Sequence, residues 1–203
     1  MSSLGPTLTR GSHRSRQHGM CVMEYASLLA GEGWTDCPRC THPVLAAVAR
    51  TVNDFAASTT RQQLAAEAPR LVGARGDDDS LSARIVILCA LYASATAHSP
   101  ALRPVLWHAE RVLRVAERGR ARGPAGRLLR RSALAGFDLL AINVYAPMVV
   151  RLMSRHVSPG ELVLVLRGCL TLVEQTAGAG ARPDAMEISA CAVSQEARIV
   201  RFG

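Results

Sequence analysis

Cys21, Glu24, Asp36, Cys37, Cys40 and His42 fall within 22 consecutive positions of a 203-residue chain. No other stretch gathers as many groups that can bind a metal, move a proton or attack an electrophile. Cys37-x-x-Cys40 has the spacing of one half of a zinc site, and His42 follows closely. Cys21 can enter as a fourth ligand from a preceding helix. The expected metal set is therefore Cys21, Cys37, Cys40 and His42, with Zn stapling the first two helices together. The set is one couple plus two single ligands. Cys40 and His42 are only two positions apart, which crowds a tetrahedral site unless the loop turns sharply.

A second chemistry is a reactive thiolate. Cys40 lies just before the expected start of a helix, where free N–H groups and the dipole stabilise negative charge. His42 would act as base, with Glu24 or Asp36 orienting it. The catalytic candidates are thus Cys40, His42, Glu24 and Asp36. The structural alternative uses the same residues. Cys21 and Cys40 become small core side chains, Asp36 bonds the loop backbone, and Glu24 and Glu32 are solvated or paired with Arg39 or Arg50.

The elements that must position these groups are helical. Cys21, Glu24, Tyr25 and Leu28 share one face at i, i+3, i+4, i+7 spacing, and Gly31 and Gly33 end that helix. Pro43 suits the first turn of a second helix, with Val44, Val48, Val52 and Phe55 on one face. A short third helix is expected after Thr60, with Gln63 in the capping-box position, ending near Pro69. Gly73 to Ser80 is a loop whose Asp77, Asp78 and Asp79 favour the positive end of the next helix. Helices follow over Leu81–Ala97, Leu102–Glu117, Leu128–His156 with a kink at Pro147, and from Ser158-Pro159-Gly160-Glu161 to about Gln175. Met186 to Phe202 alternates weakly and admits a short hairpin. The sequence therefore predicts an all-α single compact bundle of about seven helices over 20–184. A disordered Ser/Gly/Arg/His tail over 1–19 precedes it, and a C-terminal tail or small hairpin over 185–203 follows. Met20, at the end of the tail, is an alternative start.

Hydrophobic residues make up 49% of the chain and aromatics 4%, so Leu, Val and Ala must fill the core, as helices prefer. The formal charge is +8, and every one of the 24 basic residues is arginine. A GC-rich genome accounts for Arg over Lys but not for the excess of Arg over acids, so an interest in polyanions survives. Arg118, Arg120, Arg122, Arg127, Arg130 and Arg131 are the nucleic-acid candidates. Six cysteines are too few for a disulfide scaffold. There is no apolar leader, and Asp138, Asn143, Pro147 and Arg151 interrupt the longest apolar run. The reading is a cytoplasmic protein without a membrane span.

Cys21-x-Met-Glu24-Tyr25-x-Ser-x-Leu-Ala-Gly31-Glu32, Trp34-x-Asp36-x-Pro38-x-Cys40-Thr-His42-Pro43 and Ala49-Arg50-x-Val52-Asn53-Asp54 together resemble a family of small uncharacterised bacterial proteins, mainly actinobacterial. The resemblance covers about 21–73. It implies no catalytic role, and it points to Cys21, Glu24, Asp36, Cys40 and Asn53-Asp54 rather than to Cys37.

No P-loop, dinucleotide fingerprint, HExxH or GxSxG is present. The leading expectation is a binding or accessory module whose partner is another protein. A metal- or thiolate-dependent enzyme is the alternative, and nucleic-acid binding through 118–131 the third.

Overall fold

The computed structural model describes residues 6–118 and 123–178. Among the described residues every long regular element is an α-helix. The expected hairpin over 186–202 lies outside the described residues. In chain order the helices are α1 (Val22–Leu29), α2 (Pro43–Phe55), α3 (Ser58–Leu64), α4 (Ala68–Leu71), α5 (Leu81–Ala97), α6 (Leu102–Arg118), α7 (Pro124–Leu140), α8 (Ala146–Met153) and α9 (Pro159–Gly178).

The apolar pattern decides the packing. α5 is apolar on all sides, so it takes the centre and touches α6, α8 and α9. α6 is strongly amphipathic and lays Leu102, Val105, Ala109, Val112 and Ala116 against it. α2 buries Val44, Leu45, Val48 and Val52 and packs on α8 and α9, while α1 packs on α2 and α4. Cys89 on α5 and Cys169 on α9 meet in this core as buried free thiols, 3.5 Å apart.

Several boundaries differ from expectation for local reasons. α3 begins at Ser58 with Ala57 as cap, so Thr60 and Gln63 form no capping box. Instead Gln62 bridges to Leu8 through two hydrogen bonds, of 3.1 and 3.0 Å. Pro69 lies at the start of α4 and does not end the preceding helix. The kink expected at Pro147 is taken up by a π-helical segment, Ala141–Tyr145, that joins α7 to α8. Proline lacks an N–H and crowds the carbonyl four residues back, and a widened turn relieves both problems. Ser158 and Glu161 do form a capping box at the head of α9.

Residues 6–19, expected as a disordered tail, form a packed arm instead. Leu8 is buried, and Thr9 N–H donates to Met20 O at 2.7 Å. Gly19 turns the arm back at φ 116, where a Cβ would also collide with Thr9.

The continuous helix Pro124–Met153 is long and apolar enough by composition to cross a membrane, with only 28% of its most apolar window buried. Its inner side carries Leu134, Phe137 and Ala141 into the core. Leu128, Leu129, Leu139, Leu140 and Val144 on its outer side are exposed.

Candidate functional site

The start of α1 explains the first two site residues. Cys21 is the N-cap and Glu24 is N3, a C-x-x-E version of the capping box. The Glu24 amide donates to Cys21 Sγ at 3.4 Å, and Cys21 N–H donates to Glu24 Oε2 at 2.7 Å. Glu24 is 1% exposed, and two more donors reach it. The His13 amide donates to Oε1, and His13 Nδ1 lies 2.9 Å from Oε2. A buried carboxylate persists only when its lone pairs are taken up in this way. Trp34 Nε1 donates to His13 O, which closes the same corner.

Asn53 and Asp54 complete the arrangement from α2. Asn53, fully buried, accepts from Val22 N–H at 3.3 Å and donates to Thr9 O at 2.9 Å. Asp54 Oδ1 accepts from the Gly11 amide at 2.8 Å. Arm, α1 and α2 are therefore laced together by side chains that replace missing backbone partners.

The loop from Gly31 to His42 is held separately. Glu32 accepts from the amides of Arg39 (2.7 Å) and Cys40 (2.8 Å), and those bonds hold its carboxyl below the usual range. Arg50 donates to Asp36 O and to Cys37 Sγ, each at 2.8 Å, and sits 3.8 Å from the Asp36 carboxylate. Thr41 donates to Leu71 O at 2.7 Å, and His42 N–H to Ala74 O at 2.9 Å. Between arm, loop and α2 lies a cavity of about 210 Å³, lined by Ser12, Asp36, Arg50, Thr51 and Asp54 among others.

Each of the expected metal ligands has other neighbours in this structure. Cys21 caps α1, Cys37 packs under Arg50, Cys40 lies beside Thr41 at 3.7 Å, and His42 is the N-cap of α2. Among the described residues no three His, Cys, Asp or Glu side chains are grouped as a metal site. Two of the three aspartates at 77 to 79 are engaged otherwise. Asp78 accepts from Ser80 N–H at 2.8 Å, and Asp79 pairs with Arg130 at 2.7 Å.

Among the described residues no Cys–His hydrogen bond joins a nucleophile to a base. Burial pushes the Cys21 thiol up to about 12, with the Glu24 charge adding to the effect. Burial also raises the Cys37 thiol, against the lowering influence of Arg50. Burial and then the Arg75 charge push His42 down to about 4, and among the described residues its Nδ1 has no hydrogen-bond partner. No carboxylate therefore orients that ring through Nδ1, as a triad would require. Of the two expected orienting acids, Glu24 is occupied by Cys21 and His13, and the Asp36 carboxylate lies 3.8 Å from Arg50.

Sequence reasoning missed His13, Thr9 and Gln62. A polar arm without periodicity carries no signal that its groups will be used as partners. The C-x-x-E spacing was a usable signal for the cap.

The arginine candidates are also divided. Arg130 bonds Asp79 and Ala116 O, whereas Arg127 and Arg131 are exposed. Arg120 and Arg122 lie outside the described residues, as does the side chain of Arg118. Comparison with protein-family models, with curated proteins and with solved structures gives no match for this chain.

Proposed function

We propose that this chain is a binding or accessory module that works by docking another protein chain, and that the docking surface is the outer face of α7. One observation carries the reading. Leu128, Leu129, Leu139, Leu140 and Val144 are all exposed along one side of this helix and its π-helical extension. Scattered exposed leucines are ordinary, but a contiguous apolar face of several hundred Å² marks an interaction site. Among the described residues the face packs against nothing, and the core is filled from α7 by Leu134 and Phe137. The Cys21–His42 region supports the same reading by default. Its acidic and amide groups are engaged in holding the arm and loop, which is a structural duty.

The test is photo-crosslinking of the full chain in cells, with benzoylphenylalanine placed at Leu129, Leu139 or, as control, the exposed Arg103 on α6. Discrete protein adducts at the first two positions and none at the third are expected. Absence of any protein adduct at 129 and 139 would remove the proposal.

A further inference from the structure

We infer that the outer face of α7 is a two-fold interface between two copies of this chain, an inference that rests on the docking role just proposed. A two-fold contact is isologous, so the patch must be complementary to itself. The face has that property in its residue sizes. The exposed positions include Leu128-Leu129, then Ser132, then Gly136, then Leu139-Leu140, with Ala133 and Ala135 also exposed. These eight are palindromic about Leu134, whose own side chain points into the core, and exposed Arg131 alone has no counterpart, because Phe137 is buried.

Pairing two such helices antiparallel about that point sets Ser132 of one copy against Gly136 of the other. Leu129 then meets Leu139, and Leu128 meets Leu140. Small residues stand where the axes cross and leucines fill both flanks. Among the described residues nothing lies within 4 Å of a Cβ built at Gly136, so a second helix can approach closely there.

Charge selects the antiparallel sense and disfavours a charged partner. Arg127 and Arg131 are the exposed charges at the N-terminal end, and the acid of this helix, Asp138, is half-buried on the far side. A parallel pair would put the arginines of both copies side by side. The antiparallel pair separates the two Arg127 residues by about 21 Å along the axis, beyond the ~8 Å screening length. The face itself has no carboxylate for a basic partner and no cation at its centre for an acidic one.

The area is adequate. Leu129 is 72% exposed, Leu128 67% and Leu139 64%. With Leu140 and Val144 they present roughly 500 Å² per protomer, so pairing removes on the order of 1,000 Å², the lower edge for a specific interface. A dimer held by this face alone is expected to dissociate in the micromolar range.

The experiment is sedimentation velocity of the full-length chain from about 1 to 200 µM, alongside Leu139→Arg and Gly136→Leu, with far-UV circular dichroism on each. Both substitutions are at exposed positions, and leucine favours a helix more than glycine does. A concentration-dependent dimer that both variants weaken by at least about 30-fold, with helicity intact, is expected. A wild-type monomer at 200 µM overturns the inference, as does a dimer that both variants leave unchanged. If the monomer is crosslinked to a different protein through Leu129, self-pairing fails while the docking role stands. If the monomer instead co-sediments with phosphatidylglycerol vesicles and yields no protein adducts, both fail and the face belongs to a lipid surface.

Discussion

Replacing Glu24 with Gln tests whether the buried carboxylate is what fastens the arm. The shapes match, so no cavity forms and the change is one of charge and hydrogen bonding. Glu24 accepts from Cys21 N–H, the His13 amide and His13 Nδ1. A glutamine has one acceptor oxygen. Placed at the Oε2 position, it keeps the bonds to Cys21 and the His13 ring. Its NH₂ then faces the His13 amide, donor against donor. A hydrogen bond to a charged group contributes about 1.5–3 kcal/mol, and a stranded buried donor costs about 1–3. The two overlap, so a loss near 3 kcal/mol is expected. For a chain of this size that lowers the melting temperature by roughly 6–12 °C. The assay is urea unfolding together with hydrogen exchange. The amides of Thr9, His13 and Met20 should exchange much faster, while those of α5, distant from the arm, change little more than the global stability requires. A stability within 0.5 kcal/mol of wild type, or unaltered exchange at those amides, would refute the reasoning.

Two further outcomes follow from the same region. In the folded protein iodoacetamide at pH 8 should label exposed Cys37 well before Cys21, whose thiol near 12 leaves only about one molecule in 10⁴ as thiolate; equal rates by mass spectrometry would show that Cys21 is not sealed. His42 sets a pH dependence. Its folded value of about 4 lies below the unfolded value near 6.5, so the unfolded state binds more protons below pH 6.5. Its contribution is fully present above pH 6.5 and fades toward pH 4, amounting to roughly 2 kcal/mol once its partial solvent exposure is allowed for. His42→Gln should flatten that part of the stability–pH curve; a variant with the wild-type slope would place the titration elsewhere.

Local patterning carried most of the fold. The limits of α5 are those that the apolar run between Ser80 and His98 predicts, because a long run with no Gly or Pro inside it has few other solutions. Pro43 at the first turn of α2 and the Ser158–Glu161 box at the head of α9 were legible for the same reason: caps and prolines act within four residues. The all-α class followed from composition and period.

What acts across longer separations was decided only in three dimensions. Glu24 reads equally well as catalytic or structural until His13 is brought to it from 11 positions away. Gln62 carries no signal in the sequence until Leu8 arrives from 54 positions away and takes both its polar ends. The cysteine couple at 37 and 40 has metal spacing in the chain, yet the loop turns under Arg50 and Glu32 and gives each residue a different neighbour. The outer face of α7 is apolar in sequence for the same residues that would mark a core helix. Only the filled core behind Leu134 and Phe137 shows that, among the described residues, nothing covers Leu129 and Leu139. Periodicity states which residues share a face; which face is covered depends on contacts between helices distant in the chain, and those exist only in the folded protein.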